Sequence, residues 1–138
     1  MYTMNTNKIW SRIAMKAEDD YASLTEKERV LYNLRRVMDA VNGRGLMSLY
    51  ETNDYYYAED SVEDLYTAGL DEVAAIIESA NAMFPGGCPA EETEERLEII
   101  DSWDHEFDEL FDQWTDDILE FSAEMERSYN EIAVALGE

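Results

Sequence analysis

From Glu91 to the end of the chain there is no proline, and glycine occurs only at position 137. Over that stretch Ile100, Trp103, Phe107, Leu110, Phe111, Trp114 and Ile118 recur at steps of three and four. Leu119, Ser122, Met125, Tyr129, Ile132 and Leu136 continue the pattern. Such a period marks the apolar stripe of an α-helix. It predicts two or three helices here, with a break near Thr115-Asp116.

The rest of the chain reads the same way. Residues 6–20 form a weakly amphipathic stretch with Ile9, Ile13 and Ala17 on one face and Trp10 and Ala14 beside them. Thr25-Glu26-Lys27-Glu28 matches a capping box, in which Thr and Glu reciprocally satisfy free backbone N–H groups. Val30, Leu31, Leu34, Val37, Met38 and Val41 follow at helical spacing, and Asn42-Gly43 supplies a left-handed stop. Leu46 to Glu51 predicts a short helix, and Asn53 to Glu59 a tyrosine-rich connection. A further helix starts at Ser61-Val62-Glu63-Asp64, with Val62, Leu65 and Tyr66 inward and Gly69 as its stop. Asp71 caps the next, which carries Val73, Ala74, Ile76, Ile77, Ala80 and Phe84 and ends at Pro85-Gly86-Gly87-Cys88-Pro89. No segment alternates with period two. The expected fold is all-α, a single compact domain of about six to eight helices. Leu31, Leu34, Val73, Ile77, Phe84, Phe107, Phe111 and Trp114 are its predicted core. A chain of 138 residues is long enough to bury one. Three Trp, nine Tyr and four Phe exclude a disordered acidic tail.

Charge sets the partner class. The chain carries 33 acids against 10 bases, a net charge of −23. Residues 1–44 are net +2, so residues 45–138, with Arg96 and Arg127 as their only bases, carry −25. Nucleic acid binding needs a basic surface, so direct nucleic acid contact is not expected. An anionic membrane surface would repel the chain. The complement is positive: a nucleic-acid-binding protein, a basic toxin, or cations. A single cysteine, Cys88, excludes an internal disulfide framework. The start of the chain lacks the pattern of a signal peptide, and no apolar run is long enough to span a membrane. A cytoplasmic location is the expectation.

The most informative constellation is an acidic stripe. Asp101, Asp104, Asp108 and Asp112 are spaced three, four and four apart, and are expected on one helical face. Asp116, Glu120 and Glu124 continue it at steps of four. At about 1.5 Å rise per residue, a step of four separates carboxylates by roughly 6 Å. That is comparable with successive phosphates along a DNA strand. A solvated helix face normally mixes signs and uses Glu–Lys pairs four apart. This stripe has no base between Arg96 and Arg127, which favours a binding role for Asp101, Asp104, Asp108, Asp112, Asp116 and Glu120.

Catalytic and metal chemistry find no purchase. A calcium loop starting at Asp101 would need oxygen ligands where Trp103 and His105 stand. A di-iron bundle needs two histidines, and the chain has one. His105, flanked by Asp104 and Glu106, reads as a surface residue. Cys88 has no nameable catalytic partner, and no phosphate-cradling loop or nucleophile elbow is present. No cofactor, metal or enzymatic activity is expected. Tyr55-Tyr56-Tyr57 reads either as an interface cluster or as packing over a core seam.

Four stretches in order resemble a known family. These are Leu24-Thr-Glu-Lys-Glu-Arg29-Val-Leu-Tyr32, Asp39-Ala-Val41-Asn42-Gly43, Ala80-Asn-Ala-Met-Phe84-Pro85-Gly86-Gly87-Cys-Pro89, and the aspartate- and aromatic-rich run Trp103 to Trp114. Together, over about residues 24–130, they resemble the bacterial family catalogued as domain of unknown function 4375, that of the DNA-mimic protein 19-like proteins. The chain departs from the family turn at Gly43-Arg44-Gly45-Leu46-Met47-Ser48-Leu49-Tyr50-Glu51, where the family's Gln and Asn are absent. Residues 1–23 are then a helix or arm outside the resemblance, and 24–138 an acidic helical domain. The resemblance implies an all-helical fold and action as a DNA mimic on the DNA-binding surface of a basic transcription regulator. The alternatives from the residues are an immunity protein against a basic toxin such as a nuclease, a carboxylate-dependent hydrolase, and a self-associating homodimer or scaffold.

Overall fold

A computed structural model describes residues 4–52 and 58–137. Among them are eight α-helices and no strand. In chain order these are α1 Met4–Asp20, α2 Glu26–Asn42, α3 Met47–Tyr50, α4 Ala58–Thr67, α5 Asp71–Asn81, α6 Thr93–Asp101, α7 His105–Leu119 and α8 Ser122–Leu136. No helix among the described residues is long and apolar enough to cross a membrane.

The second helix is the axle of the fold. Its N-terminus is the predicted capping box: Thr25 Oγ1 accepts the Glu28 N–H at 3.2 Å, and Glu28 Oε1 accepts the Thr25 N–H at 2.9 Å. Val30, Leu31, Leu34, Val37, Met38 and Val41 are all buried along one face. Burying such a side chain stabilises by about 1.5–3 kcal/mol. The face packs against α1, α3, α4, α7 and α8. The helix ends at Asn42 as expected, but Gly43 is not left-handed (φ −102). Gly45 takes that role at φ +106, and its N–H reaches the Ala40 carbonyl at 2.8 Å. The chain therefore reverses two residues later than the Asn-Gly pair implied.

The hairpin of α4 and α5 turns at Gly69, φ +79, whose geometry lets Leu70 N–H reach the Leu65 carbonyl at 3.0 Å. Two expectations fail here. The helix begins at Ala58, before Ser61, and Tyr66 points out at 43% exposure while Asp64 points in at 1%. Burial of Asp64 is possible because α2 supplies the donors: Arg29 Nη2 at 2.8 Å, Arg29 Nε at 3.0 Å and Asn33 Nδ2 at 2.8 Å. Asp71 is not a cap either. It is the first helical residue, behind an N-cap Leu70 that makes no side-chain bond.

The C-terminal third holds three helices, but Thr115 and Asp116 lie inside α7 rather than at a break. Thr115 bonds back to the Phe111 carbonyl at 2.9 Å and accepts Leu46 N–H at 2.9 Å. Its hydroxyl is satisfied without leaving the helix, and it fastens the start of α3 to α7. The breaks fall at 102–104 and 120–121.

Candidate functional site

Asp104 is the N-cap of α7, and its Oδ1 accepts the Glu106 N–H at 3.0 Å. Asp108, Asp112 and Asp116 follow within the helix and Glu120 caps its C-terminus; all five are exposed. Successive members stand roughly 6 Å apart along the axis. A row of every fourth residue is inclined about 26° to the helix axis, so these carboxylates wind around α7 as they climb it. Asp101 is exposed too, but it is the last residue of α6, and Glu124 falls on α8. The stripe expected on one face is thus a single-helix row from Asp104 to Glu120, with Asp101 contributed by the preceding helix.

Phe111 at 1% exposure and Ile118 at 0% set the phase of α7. At about 100° per residue, Phe107, Leu110 and Trp114 lie on one flank of that buried line and Asp108 and Asp112 on the other. Phe107 and Trp114, expected in the core, are half-buried. Trp103, in the break before α7, covers Phe107 with ring centroids 4.8 Å apart and planes 13° from parallel. It also meets Phe84 at 4.9 Å and Phe111 at 5.6 Å. The aromatic cluster holds the N-terminal end of α7 against the body; the acidic row is turned away from it.

Two features escaped the sequence reading. The first is a second set of exposed acids on and before α6: Glu91, Glu92, Glu94, Glu95 and Glu98. The second is Arg96, which sits on the same helix yet is fully buried. Its Nε donates to the Tyr50 carbonyl at 2.9 Å and its Nη1 to the carbonyls of Ala90 at 2.7 Å and Glu91 at 2.9 Å. Its Nη2 donates to the Thr52 carbonyl and to Thr93 Oγ1. One guanidinium thereby joins the end of α3 to the start of α6, which leaves the helix's acids facing solvent. The signal was present: Arg96 is the only base between Arg44 and Arg127.

His105 is exposed, with Nε2 2.9 Å from Glu109 Oε1. Cys88 is half-buried, and burial, with Glu59 beside it, pushes its thiol above the usual range. The Tyr55-Tyr56-Tyr57 cluster lies outside the described residues. A groove of about 880 Å³ runs between α1, α2 and α3, with Trp10, Tyr21, Tyr32, Arg36 and Arg44 among its walls.

A family model described as DMP19-like protein matches residues 22–134. No curated protein and no solved structure matches the chain. The matched region runs from the 3-10 turn Tyr21–Ser23 into α8, and α1 lies outside it.

Proposed function

We propose, because the chain belongs to the DMP19-like protein family, that it is an acidic protein-binding module that occupies the nucleic-acid-binding surface of a basic protein such as a transcription regulator. The family is one of DNA mimics, which implies a DNA-binding protein as partner. The observation that carries the reading is the exposed row Asp104, Asp108, Asp112, Asp116 and Glu120 on one helix. Its roughly 6 Å steps match the repeat of phosphates to which a basic groove is fitted. The row stands on a convex helix surface, whereas a hydrolase would converge its carboxylates in a pocket. The exposed acids of α6 extend the same field and steer a basic partner into encounter.

The test starts with the full chain as bait in a lysate of its source cells, with the captured protein identified by mass spectrometry. The partner's affinity is then measured for the chain, for Asp108→Asn/Asp112→Asn/Asp116→Asn, and for DNA in competition. The expected results are mutual exclusion of DNA and chain, slower association of the triple variant, and weakening with added salt as the row is screened beyond about 8–10 Å. Simultaneous binding of DNA and chain, or a dissociation constant unchanged in the triple variant at low salt, overturns the reading.

A further inference from the structure

We propose that α1 is a releasable strap: it swings off the body as a unit about the 3-10 turn Tyr21–Ser23, while the rest of the fold stays intact, and its release uncovers Tyr32 and Arg35 on α2. Neither the family match nor the mimic reading speaks to this helix.

The charges of α1 run against its own dipole. A helix is stabilised by acids in its first turn and bases in its last. This one has neither, and instead ends on Glu18, Asp19 and Asp20 while Lys8 and Arg12 lie in its first half. Helices in proteins draw most of their stability from tertiary packing of one face rather than from propensity. This one therefore depends on docking, and the docking is thin. Thr6, Ile13 and Ala17 are its buried residues among those described, against nine on α2, a helix of the same length.

What holds α1 is the packing of Ile13 and Ala17 into the core, contacts with α8 and α2, and a set of polar and aromatic contacts to α2. Trp10 inserts between Arg35, whose guanidinium carbon is 4.8 Å from the ring centroid, and Tyr32, stacked at 5.7 Å and 21°. Lys16 reaches Glu28 at 2.7 Å. Toward α2 and α3 the helix is also a wall of the 880 Å³ groove, lined there by Trp10, Ala14, Ala17 and Glu18, so space already lies alongside its docked face. The end nearest the hinge is fixed. Tyr21 OH donates to Asp60 at 2.9 Å and accepts from Asn33 at 3.0 Å. A helix pinned at its C-terminal end, charged against its dipole and lightly buried has the features of a segment that opens below the global unfolding free energy.

Hydrogen exchange on the full chain at neutral pH, resolved to single amides, tests this. Amides of residues 8–18 are expected to exchange as one group, about tenfold or more faster than those of residues 30–41. Equal protection in the two segments overturns the proposal, because α1 would then open only with the whole fold. A smooth gradient from residue 8 to residue 18 overturns it too, since that is fraying. Glu18→Gln/Asp19→Asn, which removes two charges opposed to the dipole, is expected to slow exchange in 8–18 severalfold and leave 30–41 unchanged. Trp10→Ala is expected to speed exchange in 8–18 by about tenfold, again with 30–41 unchanged. A variant that shifts both segments equally shows α1 to be part of the cooperative core and overturns the strap.

Discussion

Lys16 and Glu28 meet at 2.7 Å on Glu28 Oε1, the same carboxylate oxygen that closes the capping box of α2 by accepting Thr25 N–H at 2.9 Å. The docking of α1 and the start of α2 thus share an atom. Partial burial pushes this carboxyl up, but its bonds to Lys16 and Thr25 outweigh that and leave it below the usual carboxylate range. A carboxyl lowered in the folded state contributes stability above its unfolded value, about 4.3, and loses it as pH falls through the folded value. Circular dichroism melts from about pH 7 down to pH 3 are expected to show that loss. Glu28→Gln should melt lower at neutral pH and show a shallower decline on acidification.

Arg96 tolerates little change, because its fully buried guanidinium serves carbonyls on two sides. Arg96→Met fills space but leaves the buried Tyr50 carbonyl, and the carbonyl of Thr52, without their donor. The expected loss is about 1–3 kcal/mol for each buried carbonyl left unpaired, read in chemical denaturation. Arg96→Lys is not expected to rescue it, because one ammonium does not reproduce the planar fork that spans α3 and α6.

Along α7, exposure orders the aromatic truncations. Phe111→Ala empties a site that is 1% exposed and should cost about 3–5 kcal/mol. Phe107→Ala and Trp114→Ala, both half-buried, are expected to cost clearly less in the same urea titration. Equal losses at all three would mean that the helix sits in a different rotational phase.

The acidic row should be stabilised by neutralisation. Like charges four apart on a helix disfavour it by about 0.2–0.5 kcal/mol per pair. Asp108→Asn/Asp112→Asn/Asp116→Asn removes all four such pairs of the row, from Asp104–Asp108 to Asp116–Glu120, from an exposed surface. Its melting temperature at low salt is expected to equal or exceed that of the parent, with the difference shrinking as salt is added. A partner-binding defect in this variant would then not be a folding defect.

What the sequence made legible was local. The capping box at Thr25 and the stripe of α2 involve residues within a turn or two of each other, so periodicity and capping rules reach them. The misplaced features each depended on a distant group. Asp64 turns inward in place of Tyr66 because Arg29 and Asn33, about 30 positions earlier, meet it with donors. Thr115 continues its helix while accepting a bond from Leu46, 69 positions away. Arg96 is buried because the carbonyls of Tyr50 and Thr52, more than 40 positions earlier, meet it together with those of Ala90 and Glu91. For the candidate site, the spacing of Asp108, Asp112 and Asp116 and their outward phase were readable from the apolar residues between them. The division between Asp101 and Asp104 was not foreseen, although aspartate is a favoured N-cap.

The winding row on α7 has a quantitative consequence for competition. From Asp104 to Glu120 the helix carries eight carboxylates over roughly 25 Å of axis, about one per 3 Å. Duplex DNA carries one charge per about 1.7 Å, and its affinity for basic proteins falls steeply with salt because bound ions must be released. A sparser array gathers fewer ions and has fewer to release. Under the mimic reading, the two ligands of one basic surface therefore have different ionic slopes. Their affinities cross at some salt concentration, above which the partner passes from the nucleic acid to the helix.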